Sequence, residues 1–216
     1  IQRYYDTSEI GSFPERKKPI SLRPKLTTLD NAINYEQVYE QLMQLNLSIY
    51  TPTNYIFPSK LEKYIDMESD QSNRLTQTGR EEGIRRLMSI NLLKRMESSV
   101  HSFKLTVKRI YTQIKDTVDT INRYQADKEI GIKDIRDFGD LDLDDQNIDV
   151  FNVGKKFKID ISDMDYLSWK RDLIADLEVL ELLILMIEDI RPEFDYKLNE
   201  LIDVIEKKIK NPINPG

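Results

Sequence analysis

The longest regular pattern of apolar and polar positions lies within residues 78–124. Met96, Val100, Phe103, Val107, Ile110, Ile114, Val118 and Ile121 recur at steps of three and four, and no proline interrupts them. That spacing lays one apolar seam along a helix, in the manner of a coiled coil. Thr78 followed by Glu81 reads as a capping box at its start, with Glu81 and Glu82 where the helix dipole favours negative charge. At 1.5 Å per residue the pattern predicts a helix roughly 65–70 Å long. A wet seam of that length is unstable alone, so partner helices are expected. Ile84, Leu87 and Met88 point to a different side from the later seam, which predicts a kink or break near Ser89–Asn91.

The same reading places the other elements. Asn34 with Gln37 repeats the capping pattern and opens a helix to about Tyr50, with Tyr35, Val38, Leu42, Leu45 and Ile49 on its apolar side. One short helix is expected at 60–67. Ser162 or Asp163 caps a helix running to Ile190, on the seam Tyr166, Leu173, Leu177, Leu180, Ile184 and Ile187. Leu182, Leu183, Leu185 and Met186 widen that surface until its second half is apolar nearly all round, which predicts burial by several helices. A last helix starts at Pro192 and carries Phe194, Leu198, Leu201, Ile205 and Ile209. Residues 1–30 alternate without helical period, and Pro19 and Pro24 make them an extended lead or edge. Residues 127–160 lose the period, with Gly131, Gly139 and Gly154 among aspartates, and read as an acidic loop.

The fold class that follows is mainly α: an elongated antiparallel helical bundle or coiled-coil-like hairpin with short extended terminal segments. The helices at 78–124 and 163–190 should pack antiparallel, with 193–210 alongside. Charged residues make up 32% of the chain, which suits a helix-rich protein with much surface per unit of core. There is no cysteine, so thiolate and disulfide chemistry are excluded. No apolar run approaches the roughly 18 residues that span a bilayer, so a cytoplasmic protein without a membrane partner is expected.

Charge changes the picture through its distribution. From Arg74 to Lys115 ten basic residues face three acidic ones, although the net charge of the chain is -6. On one continuous helix Lys94, His101, Lys104, Lys108 and Lys115 fall within about 80° of each other, with Arg86 close by. Two readings stand side by side: a solvated face, and a nucleic-acid-binding stripe of Arg86, Lys94, His101, Lys104, Lys108 and Lys115 contacting phosphates. Other chemistry finds little footing. The chain has no phosphate-cradling glycine loop, and its single His101 has no thiolate or second imidazole for a zinc site. Asp140, Asp142 and Asp144 start like a calcium loop, but Asp145 and Phe151 occupy the positions of its glycine and its glutamate. No catalytic residue and no metal ligand is assigned.

The segment Ile84-Arg-Arg-Leu-Met-Ser-Ile-Asn-Leu-Leu-Lys-Arg-Met-Glu-Ser-Ser-Val-His-Ser-Phe103 resembles a stretch between the two RecA-like lobes of bacterial Swi/Snf-type superfamily-two helicases. The likeness is to the long forms, some with a phospholipase-D-like domain. Arg3-Tyr-Tyr-Asp6 through Phe13-Pro14 resembles the exit from the first lobe, and Lys208 to Gly216 the approach to the second. The resemblance implies three parts: residues 1–30 leaving one lobe, a helical insertion at 31–210, and 211–216 starting the linker to the next lobe. It also implies a non-catalytic module of a DNA-dependent ATPase, with double-stranded DNA and the flanking lobes as partners. ATP and Mg would be cofactors of the parent and not of this chain, because the family's catalytic motifs fall before residue 1 and after residue 216. The alternative is a free-standing helical scaffold or protein-interaction domain.

Overall fold

The computed structural model describes residues 18–30, 32–65, 77–126 and 159–212. Among these there are six α-helices and no β-strand, only isolated bridges between Thr27 and Asp195 and between Ile56 and Met164. The helices are α1 (Tyr35–Leu42), α2 (Leu61–Ile65), α3 (Gln77–Ser98), α4 (Val100–Ala126), α5 (Tyr166–Glu188) and α6 (Tyr196–Lys210). The chain is mainly helical and packs as a bundle, as its periodicity predicts.

All eight residues of the long seam, Met96 to Ile121, are buried. They meet Trp169, Leu173, Leu180, Leu183 and Ile187 of α5, which are almost fully enclosed. α4 and α5 run antiparallel. At one end Tyr124 packs edge-on against Tyr166 with ring centroids 5.5 Å apart, and Lys170 Nζ donates to Gln125 at 2.8 Å. At the other, Lys104 reaches the carbonyls that close α5.

The single long helix does not form. The chain turns at Ser99, eight residues beyond the last of the positions where a break is expected. Ser99 serves both helices. Its N–H donates to the Arg95 carbonyl at 2.9 Å, ending α3, while its carbonyl accepts from Phe103 N–H at 3.0 Å. Its Oγ accepts from Ser102 N–H at 3.3 Å, the bond of an N-cap to the third residue of α4. Contacts at both ends fix the directions. Early in α3, Glu81 accepts from Thr53 N–H and Oγ1 at 3.0 and 2.6 Å, while nearby Tyr55 donates its hydroxyl to Asp172 of α5 at 2.8 Å. At the far end Lys197 donates to the Glu97 carbonyl. Thus α3 runs in the direction of α5 and α4 returns. Glu81, expected in a capping box of its own helix, fastens Thr53 of the segment before α2.

The first helix is shorter than the expected 34–50. Asn34 and Gln37 do form the capping box, with bonds of 2.9 and 3.0 Å. The helix stops at Leu42, the amides of Met43, Gln44 and Leu45 bond back to the carbonyls of Tyr39, Gln41 and Leu42, and Asp176 in the middle of α5 takes the three amides after those. Its two oxygens accept from the N–H groups of Asn46, Leu47 and Ser48 at 2.7, 3.1 and 2.8 Å. Leu47 is left in the left-handed region at φ 54°, a conformation a leucine holds only when its surroundings over-determine it. A carboxylate that is 1% exposed needs such donors, and the segment just past α1 supplies them.

The remaining differences are at element ends. α5 is capped by Asp165, which accepts from Ser168 N–H at 3.1 Å, and not by Ser162 or Asp163. Asp163 instead accepts from Lys63 Nζ at 2.5 Å and from the Tyr64 hydroxyl at 2.7 Å, holding α2 to the segment before α5. The second half of α5 is not buried all round: Leu182 and Leu185 are exposed. Most of the expected acidic loop, 127–158, lies outside the described residues. At its end Ile159 has no regular secondary structure, as expected of a loop, yet is buried in the core. Of the extended lead, residues 1–17 lie outside as well. Leu26 is buried, and Thr27 Oγ1 and Thr28 N–H donate to the Phe194 carbonyl at 2.8 and 3.0 Å. The helix expected alongside the bundle, α6, buries none of its residues.

Candidate nucleic-acid interface

The turn at Ser99 decides how the six candidate positions relate. Arg86 and Lys94 stand on α3, whereas His101, Lys104, Lys108 and Lys115 stand on α4. The projection that aligned them assumed one straight helix, so the single line of six is broken.

Arg86 is exposed and pairs with Glu82 one turn earlier, at 3.4 Å. Glu82 is already shared: Arg85 bonds to it first, then Arg86, and the two guanidiniums hold its carboxyl below the usual glutamate range. Lys94, His101 and Lys115 are exposed and make no hydrogen bond or ion pair among the described residues. Of the six candidates, these three are the ones without an internal partner among the described residues.

Lys104 and Lys108 have another employment. Lys104 is partly buried, and its ammonium donates to the carbonyls of Glu188 at 2.8 Å and of Ile190 at 3.0 Å. These are carbonyls of a helix end, where the dipole is negative and intrahelical donors have run out. Desolvation pulls the Lys104 ammonium below its ordinary value, Glu188 opposes that shift, and the neighbouring Lys108 adds to it. Lys108 pairs with Glu188 at 3.1 Å, and Glu188 is in turn held below the usual range by that bond. The sequence places a single acid, Glu97 at the end of α3, beside this stripe. The fold adds Glu188, and Asp189 acts on Lys104 from the same side.

Sequence reasoning missed the groups that organise the bundle. Asp176 and Asp163 are nearly fully buried, yet their environments act in opposite senses. Desolvation pushes Asp176 up despite its three amide donors, whereas the bonds from Lys63 and then Tyr64 hold Asp163 down. A carboxylate falling on the apolar seam between Leu173 and Leu180 was the available signal for Asp176. Also unread was an open groove of about 560 Å³, where residues 22–24 lie against α1 and the end of α3. Tyr35, Tyr39, Leu93 and Met96 line it, with Arg23 and Lys197 offset by Glu36 and Glu97. The Tyr35 hydroxyl is pushed up by burial, then by Asp195 and Glu97.

Among the described residues no group of three or more acidic or histidine side chains could hold a metal ion. No described helix is long and apolar enough to cross a membrane. No protein-family model, curated protein or solved structure matches the chain.

Proposed function

We propose that the chain is a non-catalytic helical module of a DNA-dependent ATPase of the Swi/Snf type, set between two motor lobes and contacting the duplex backbone. One observation carries the reading. The segment that leads into the bundle and the segment that leads out of it are bonded side by side, Thr27 and Thr28 to Phe194. A body whose incoming and outgoing strands meet can project from a host without disturbing it, which is what tolerated domain insertions share. The resemblance between residues 84 and 103 supplies the host. It falls on the second half of α3, the Ser99 turn and the start of α4, so it describes the corner of the bundle and no catalytic motif. The chain offers no phosphate loop, and ATP and Mg would be held by the parent's lobes.

Lys94, His101 and Lys115 are the phosphate contacts in this reading, with Arg86 available once it leaves Glu82. Lys104 and Lys108 serve the end of α5. The test uses the intact polypeptide that carries this chain, assayed for ATP hydrolysis with and without duplex DNA. Because Thr28 and Phe194 are hydrogen-bonded, residues 29–193 can be replaced by a short glycine linker with little strain. DNA-stimulated hydrolysis is expected in the intact protein, and loss of the stimulation with basal hydrolysis kept is expected in the shortened one. Absence of ATP hydrolysis, or stimulation unaffected by the replacement, overturns the reading.

A second reading, a helical scaffold that binds another protein, is favoured by the exposed apolar side of α6. Leu201, Ile205 and Ile209 are 54%, 48% and 74% exposed on one face of it. Intact protein without DNA-dependent hydrolysis would leave this one standing.

A further inference from the structure

Among the described residues, α6 is fastened only at its root. Asp195 caps it, accepting from Leu198 N–H at 3.0 Å, and is itself bridged to Thr27. Just inside, Lys197 donates to the last carbonyls of α3 through Glu97. Beyond Lys197 the pattern changes. None of the fifteen residues of α6 is buried, and the bonds its side chains make from Leu198 onward stay within residues 193–210. The remaining long helices, α3, α4 and α5, each bury residues in the common core.

We infer that α6 is a swinging arm and that Asp195 marks the mechanical edge of the bundle, with a hinge between the Phe194 clamp and the first turn of α6. The physical argument is one of coupling. A packed helix changes its angle only by opening core contacts, which gives up the burial of each aliphatic side chain involved. α6 has none to open. The residues that hold its root are two: Asp195, buried and bridged to Thr27, which stays with the bundle while it caps Leu198 N–H, and Lys197, whose long stem can follow the Glu97 carbonyl. The clamp of Thr27 and Thr28 on Phe194 stays with the bundle. Changes of angle are therefore absorbed between Phe194 and Lys197, where backbone bonds to the bundle stop. The inference is independent of the DNA-motor reading, since it concerns only what holds α6 in this chain.

Hydrogen exchange on the full chain, read by mass spectrometry, tests it. Amides of α6 from Ile202 onward should exchange at least about a hundredfold faster than those of α5, because opening the arm does not require opening the core. The change Ile205→Ser should leave the melting temperature of the chain unaltered, and Leu183→Ala, a core change, should lower it in the same assay. Protection of α6 equal to that of α5 overturns the inference. So does a fall in melting temperature with Ile205→Ser, or α6 protection that rises with protein concentration, which would show the arm held by a second copy.

Discussion

α5 and α6 start alike and end differently. Each follows a single aspartate cap, Asp165 or Asp195, that accepts from the N–H three residues on at 3.1 or 3.0 Å. Each is amphipathic, with apolar side chains recurring at helical spacing. Yet α5 buries Trp169, Leu173, Asp176, Leu180, Leu183 and Ile187, while α6 buries nothing. Caps and periodicity are local and decide that a helix forms. Membership of a core depends on a complementary seam elsewhere in the chain. α5 finds one on α4, from Phe103 to Ile121, whereas among the described residues no seam covers α6.

The strongest way to break the α5 side of that comparison is Asp176→Ala. It strands the buried amides of Leu47 and Ser48 and the part-buried one of Asn46, and removes what holds the Leu47 turn, so a loss of about 3–5 kcal/mol is expected, measured by urea unfolding followed by circular dichroism. A matched pair comes next. Leu180→Ala should cost about 2–4 kcal/mol and Leu201→Ala less than about 0.5, since only the first empties a packed site. Similar losses in the two would erase the distinction between the helices. Lys104→Met keeps the aliphatic stem and removes the ammonium from the end of α5. About 0.5–1.5 kcal/mol should go with it, the size of a helix-end charge or a single hydrogen bond.

The smallest effect concerns pH and separates two buried carboxylates. Asp163 is held below its ordinary value, so its contribution to stability is present above the unfolded-state value and is lost as pH falls through the folded one. Asp176 is pushed up, so its contribution is fullest below the unfolded-state value and declines as pH rises through the folded one. On acidification below about pH 4 the melting temperature should therefore fall, and Asp163→Asn should flatten that fall. A steeper fall in the Asp163→Asn protein would contradict the assignment.

Much of the bundle was legible because its signals are short-range or periodic. The Asn34–Gln37 box and the eight-residue seam needed only neighbours three or four positions apart. The turn at Ser99 was not, because Glu97-Ser98-Ser99 contains neither proline nor glycine and the seam passes through it without a skipped step. The one hint was the change of phase between Ile84, Leu87, Met88 and the later residues, and it pointed to the wrong place. The end of α1 was hidden for another reason. The segment just past it is held by Asp176, more than a hundred residues away, and no local propensity at Leu42–Leu47 contains that information. The candidate stripe suffered from both causes. It was drawn on a straight helix, and the acids that engage Lys104 and Lys108 come from α5.

The nucleic-acid part of the proposal concerns the candidate positions that the fold leaves without an internal partner among the described residues, Lys94, His101 and Lys115. In the intact polypeptide, Lys94, His101 and Lys115 changed together to glutamate should abolish most of the DNA stimulation of ATP hydrolysis. The salt dependence of that stimulation should flatten too, each lost phosphate contact removing about 0.9 from the slope against the logarithm of salt. Lys104→Met should leave both unchanged while lowering the melting temperature. Unaltered DNA stimulation and salt slope in a folded triple variant would contradict the account and return these positions to an ordinary solvated face.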